Sequence, residues 1–288
     1  MSQHLKDFTS VSPSAKSLLM MKGYTNIPYA KETAALMQGS EVFGLNFEDK
    51  DFWFWIRVMH FESRYWSIDQ LLAKTDSKNI LELSSGYSLR GLDLCTKDDR
   101  MHYIDTDLPE VIQHKQDMIS KLQLGKEAKG SYEPLALNAM NETAFNTVMD
   151  KFTNGPVTIV NEGLLMYLNL EEKKQLCKTI YSTLKLRGGS WITADVYVKR
   201  ATTMRMPQSE SEAAFTTQHH IEENKFESYE AARVFFEEQG FLFVQEAVTD
   251  YQKLSVIPHL RKVLPEEIRN SKEPPPKIQA TWMLKVKG

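Results

Sequence analysis

Three polar side chains stand where strand-like stretches of this 288-residue chain give way to loops. Asp107 closes Met101–Asp107, Asn138 closes Tyr132–Asn138, and Glu162 follows Val157–Asn161. Glu82 lies inside the first such stretch, just ahead of the turn Ser84-Ser85-Gly86. Open α/β sheets bind ligands beyond the carboxyl ends of their strands, so this ordered set is a candidate site. A carboxylate after the second strand suits a ribose diol, because an ionised acceptor strengthens both hydrogen bonds it takes from vicinal hydroxyls. The turn combines small serines with one glycine, which lets backbone approach a ligand closely. A dinucleotide would need G-x-G-x-x-G, so that pyrophosphate rests on a helix N-terminus. The turn Ser84-Ser85-Gly86-Tyr87-Ser88-Leu89 has one glycine, which disfavours a nicotinamide cofactor. A nucleoside cofactor without phosphate, S-adenosylmethionine, tolerates it. The competing reading makes these residues turn and cap formers, Asp107 above all as an N-cap before Leu108-Pro109-Glu110.

Methyl transfer is an in-line displacement on an activated sulfonium carbon, so alignment and desolvation supply much of the rate. A carboxylate acceptor needs no base, whereas a hydroxyl does. Asp195, Tyr197, His219 and His220 are the base candidates, although paired histidines in a polar segment are equally read as solvated surface. Arg200 and Arg205 offer charge to an acidic acceptor. Trp53, Trp55, Tyr65 and Trp66 either line an acceptor pocket or pack a core.

The elements that must position these groups follow from periodicity and punctuation. Residues 12 to about 75 read as mostly helical, with Ser12-Pro13 as a start, a break at Gly23–Pro28, and an aromatic helix from Phe52 to Leu72. Strand candidates then alternate with helices. Asn169 and Glu172 have capping-box spacing ahead of a Leu176/Ile180/Leu184 stripe that ends at Gly188-Gly189. Ser190–Val198 is a fifth strand, Ser228 caps a further helix, and Phe241–Val244 and Ala280–Val286 are the last two strands, without a clear helix between them. This order predicts an α/β fold, a doubly wound and mostly parallel sheet whose final pair is antiparallel. The polar stretch Arg200–Lys225 interrupts the alternation and is expected to be an inserted lid.

A formal net charge of −3 and a pI near 6.2 argue against a protein built to neutralise nucleic-acid phosphates. Residues 1–7 carry no apolar signal region, and no uncharged apolar run reaches about 18 residues. The expectation is a cytoplasmic protein without membrane contact. Cys95 and Cys177 lie in apolar-periodic segments and read as core residues, not as a disulfide or metal framework. No metal site is expected.

Four stretches resemble the leucine carboxyl methyltransferase family and its bacterial relatives among the class I S-adenosylmethionine-dependent methyltransferases. They are Ala15-Lys16 leading to Gly23-Tyr24 and Pro28-Tyr29; Arg64 with Asp69; Ile104-Asp105-Thr106-Asp107-Leu108-Pro109; and Asn161-Glu162-Gly163-Leu164-Leu165-Met166-Tyr167-Leu168. The last is similar to the family's E-G-x-x-x-Y-L signature. The resemblance implies a seven-stranded core, residues 76–288, below an N-terminal helical cap, residues 1–75, with a lid over 199–227. It implies that Lys16 and Arg64 bind the methionine carboxylate, as Arg's bidentate fork suits. Glu82, Ser84 and Gly86 would pass the methionine part. Asp107 and Leu108 would hold the ribose, Asn138 with Ala139 would address adenine, and Glu162 would lie near the ammonium. Tyr167, Tyr197 and Arg200 are expected around the acceptor. Ser84 stands where the family has glycine, and Asn138 where it has an acid. The implied activity is O-methylation of a carboxylate or hydroxyl on a small, polyketide-like molecule. Methylation of a protein C-terminus, non-catalytic cofactor binding and a nicotinamide-dependent oxidoreductase are the alternatives.

Overall fold

The computed structural model describes residues 12–37, 47–199, 207–270 and 277–288. Three helices open the described chain: α1 (Ser12–Lys22), α2 (Ala30–Leu36) and α3 (Phe52–Leu72). The Asp51 carboxylate starts α3 by accepting from the Phe54 N–H. Strands β1 (Asn79–Leu83), β2 (His102–Asp107), β3 (Ser131–Ala136), β4 (Val157–Asn161), β5 (Gly189–Tyr197), β6 (Phe241–Glu246) and β7 (Gln279–Val286) form one sheet in the order β3-β2-β1-β4-β5-β7-β6. The first five pair in parallel, and β7 runs antiparallel to both β5 and β6. β1 and β4 are buried along their whole length, polar Asn79, Glu82, Thr158 and Asn161 included, as strands covered on both faces are.

The crossovers are α4 (Arg90–Lys97), α5 (Pro109–Lys121), α6 (Glu142–Met149) and α7 (Leu170–Arg187). The Asn169–Glu172 capping box opens α7 as its spacing predicts. After β5 come α8 (Glu210–Gln218) and α9 (Tyr229–Glu238), the latter capped by Ser228. The chain order reverses between β1 and β4, the place where open sheets leave a crevice. Register aligns the strand ends there: Leu83 lies beside Thr106 and Asn161, and Asp107 beside Ala136.

Two features depart from the sequence expectation. β3 ends at Ala136, so Asn138 sits in the following loop. Between β6 and β7 lie α10 (Ile257–Lys262) and α11 (Glu266–Arg269), too short for periodicity to reveal. Leu254, Val256, Ile257 and Leu260 complete an apolar core with Phe52, Phe54, Trp55 and Val58 of α3. The buried Glu62 carboxylate ties this segment to α3 by accepting from the Ser255 and Val256 N–H groups and the Ser255 hydroxyl. The cap therefore draws its core from both ends of the chain. Cys95 and Cys177 are free and buried. No helix among the described residues is long and apolar enough to cross a membrane.

Candidate active site

The strand ends and the cap enclose a cavity of about 450 Å³, within the range of small-molecule sites. Ser84, Gly86, Asp107, Leu108, Asn138, Ala139 and Glu162 all line it. Ser84 adopts φ 52° and Gly86 φ 54°. The left-handed value at Ser84 explains why a glycine is the easier residue there, since a Cβ crowds the carbonyl in that region. The turn is anchored across to β2: the Gly86 N–H donates to Asp107 Oδ2 at 2.7 Å. The Leu108 N–H donates to Asp107 Oδ1, also at 2.7 Å. Asp107 is thus no side-chain cap of α5; it joins two loops. An ionised carboxylate has about four acceptor positions, so two remain for a diol. Burial raises the Asp107 pKa, against the two N–H donors that lower it. Asn138 Oδ1 accepts the Met140 N–H at 3.0 Å, which leaves Nδ2 as the group able to donate to a ligand.

Glu82 does not line the cavity. It is fully buried beneath it, where Arg90 Nη1 reaches it at 2.6 Å and the Tyr103 hydroxyl donates to its other oxygen. Arg90 also binds Asp69 at 2.7 Å and Glu162 at 3.1 Å, and its guanidinium lies 4.2 Å from the Tyr65 ring centroid. Glu162 receives two further cations, Lys22 at 2.6 Å and Arg64 Nε at 3.1 Å. Burial opposes ionisation of Glu162, but Lys22, Arg64 and Arg90 together hold its carboxyl below the usual range. Burial pushes Glu82 the other way, up to about 7, against the pull of Arg90 and with the help of Asp105. Lys22 is lowered by burial, with Glu162 opposing.

Lys16 is half-buried on α1 and lies outside the cavity lining, whereas Lys22 is part of it. Lys22 precedes Gly23 at a helix end, where a lysine ordinarily satisfies the dipole, so nothing in the sequence marked it. Arg57, His60, Phe61 and Arg64 of α3 also line the cavity. Their 3–4 residue spacing puts them on one helix face, a signal that the surrounding aromatics mask. Trp53, Trp55, Tyr65 and Trp66 do not line it; Trp55, for example, stacks on His259 at 4.5 Å within the cap.

The far wall is made by Tyr167, Tyr197 and α8. The Tyr197 hydroxyl accepts from Arg64 Nη1 at 2.9 Å and lies 2.8 Å from His60 Nε2. The second Arg64 amine, Nη2, is buried without a partner. Gly163, at φ 84°, is its near backbone neighbour. Asp195 is consumed structurally: it accepts from the N–H groups of Gly163, Leu164 and Leu165 and from Asn161 Nδ2, all within 3.1 Å. That removes it as a base and fixes the loop carrying Glu162. His219 packs against Tyr167 and Phe215, and neither it nor His220 lines the cavity. Arg57 binds Glu212 of α8 through both amines, at 2.5 and 3.0 Å, and donates to the Pro207 carbonyl. Arg200 and Arg205 lie outside the described residues. Among the described residues no group of three or more His, Cys, Asp or Glu is placed to hold a metal ion.

Solved structures share this fold. A DUF574 family protein from Streptomyces avermitilis superimposes with a TM-score of 0.57 at 11% identity, covering 95% of this chain and 97% of that one. The magnesium protoporphyrin IX methyltransferase of Synechocystis, solved with bound SAH, gives 0.48 at 11% identity over 91% and 96% of the two chains. LepI in complex with SAM gives 0.44 at 10% identity; the match covers 73% of this chain and spans only 43% of that longer protein. No curated protein matches the sequence. The family model for leucine carboxyl methyltransferase matches residues 27–181, more than half the chain and all of β1 to β4. The chain therefore belongs to the leucine carboxyl methyltransferase family, a family of S-adenosylmethionine-dependent methyltransferase enzymes.

Proposed function

We propose that this protein is an O-methyltransferase that binds S-adenosylmethionine in the cavity between the strand ends and the cap, and passes its methyl group to a small molecule. One observation carries the reading: the polar groups of four strand ends converge on a single cavity that also holds a buried, unpartnered guanidinium nitrogen. Asp107 offers its remaining acceptor positions to the ribose diol. Asn138 donates through Nδ2 to the adenine edge, with Ala139 beside it. Ser84 and Gly86 pass the methionine chain. Arg64 Nη2 is the donor for the methionine carboxylate, with Lys22 rather than Lys16 as the neighbouring lysine, and Glu162 faces the ammonium. When bound, the cofactor supplies an electrophilic methyl group on a sulfonium sulfur.

Tyr167, Tyr197 and α8 bound the acceptor space. The Arg57–Glu212 pair holds α8 over this space as a lid, and this roof favours a small acceptor over a protein terminus. Calorimetry with S-adenosylhomocysteine, NAD and ATP tests the cofactor assignment; binding of NAD alone would refute it. Replacing Asp107→Ala should weaken S-adenosylhomocysteine binding by about 1–3 kcal/mol, roughly 5-fold to 150-fold. An unchanged affinity would remove Asp107 from the site.

A further inference from the structure

We propose that the acceptor is an ionisable hydroxyl, a phenol or enol, and that Tyr197 and His60 form the relay that takes its proton. The inference rests on the cofactor reading above and narrows the acceptor chemistry of the same site. A tyrosine hydroxyl has one hydrogen to donate and two lone pairs. Arg64 Nη1 can only donate, so it occupies one lone pair of Tyr197 Oη at 2.9 Å. The one described acceptor within reach of the Tyr197 hydrogen is His60 Nε2, at 2.8 Å. That assigns His60 as the neutral tautomer protonated on Nδ1, and it leaves Tyr197 with a second lone pair for an incoming O–H. Both residues line the cavity. A carboxylate acceptor would arrive already ionised and have no use for this arrangement.

The proton path closes without a further reagent. The acceptor oxygen forms the new C–O bond while the C–S electron pair stays on sulfur, which becomes a neutral thioether. The acceptor proton moves to Tyr197 Oη, and the Tyr197 proton moves to His60 Nε2. Arg64 stabilises negative charge on Oη during the exchange. Burial raises the Tyr197 pKa, with Arg64 opposing, so the phenol carries the proton through instead of resting as phenolate. Charged and titratable groups lining the cavity beside them are Arg57 and Arg64 from α3, Lys22 from α1, Tyr87 and Asp107 at the ends of β1 and β2, Glu162 and Tyr167 from the loop after β4, Glu212 from α8, and Glu222 and Lys225 after it, while Asp195 acts on Tyr197 electrostatically.

Two measurements test this. Imidazole nitrogen NMR of the full protein, with the His60 signal assigned by its loss in His60→Gln, should show Nδ1 protonated and Nε2 accepting at neutral pH, and Tyr197→Phe should abolish the Nε2 bond. A tautomer protonated on Nε2 overturns the proposal. Tritiated methyl transfer to naphthol and to naphthoic acid provides the second readout. Ether formation should fall about 10²-fold or more in His60→Gln near neutral pH and recover as the probe ionises by itself at high pH, with KM little changed. Transfer to naphthoic acid that is indifferent to His60→Gln, or no ether product at any pH, overturns the proposal. Calorimetry with S-adenosylhomocysteine accompanies both. Its retained binding separates failure of the relay from failure of the cofactor assignment.

Discussion

The two walls of the cavity are built by different means. The wall from β1 to β3 is held by short-range bonds to backbone: Asn138 reaches 2 residues along the chain, and Asp107 reaches 21 residues back to Gly86. The wall under the cap is held by side chains that meet across 98 residues for Arg64–Glu162, 137 for His60–Tyr197 and 140 for Lys22–Glu162. The first wall is the generic product of a parallel sheet with its strand ends in register. The second is a buried ion network, in which each charge depends on partners that only the folded chain provides. The site combines a nucleoside cradle that the fold supplies with an acceptor end that must be assembled.

The largest effect should come from cutting the network at its centre. Arg90→Met leaves Glu82, Asp69 and Glu162 short of a buried cation and should cost about 3–5 kcal/mol, read from urea unfolding midpoints. A loss under ~1 kcal/mol would show that the network is not what joins cap to sheet.

Two of the three carboxylates that share Arg90, Glu82 and Glu162, should titrate in opposite senses. Glu82 is raised in the fold to about 7, so its contribution is full below its ordinary value of 4.5 and is lost as pH climbs to 7. Glu162 is lowered, so its contribution is present above 4.5 and is lost as pH falls below it. Between pH 4.5 and 7 the wild type should therefore lose stability relative to Glu82→Gln, by on the order of 2–3 kcal/mol. Parallel curves for the two proteins would contradict the assignment. Below pH 4.5 the Glu162→Gln variant should fall less steeply than wild type.

Asp195→Ala sharpens the distinction between anchoring and chemistry. It strands three backbone donors and should destabilise by about 2 kcal/mol. Hydrogen exchange should rise over Gly163–Leu165 in this variant while the Ser84–Gly86 turn stays protected. The smallest change is predicted on the backbone-built wall. Ser84→Gly relieves a left-handed residue and should stabilise by about 0.5 kcal/mol, after the entropy that glycine gives to the unfolded chain. A destabilising result would mean that the Ser84 side chain holds the turn.

Much of the sheet could be read in advance because strands and crossovers are announced locally: β4 by its β-branched run after Gly155-Pro156, α7 by Asn169 and Glu172, α9 by Ser228. The antiparallel final pair followed from the missing long crossover. The same local logic failed for α10, whose six residues show no period, and for the α3 aromatics, whose burial in the cap hid the polar stripe beside them. Lys16, implied by the resemblance, lies outside the cavity that Lys22 lines, and the base candidates Asp195, Tyr197, His219 and His220 did not include His60, which meets Tyr197.

Residue order alone determined the α/β winding, the placement of Ser84, Gly86 and Asp107 at strand ends, and the preference for a phosphate-free nucleoside, because each depends on contacts within one or two neighbouring elements. Which lysine neutralises Glu162, which histidine faces Tyr197, and which carboxylate is held ionised were decided only by tertiary structure. Those outcomes depend on burial and on partners about a hundred residues away, and a charge removed from water takes its protonation state from what surrounds it in space.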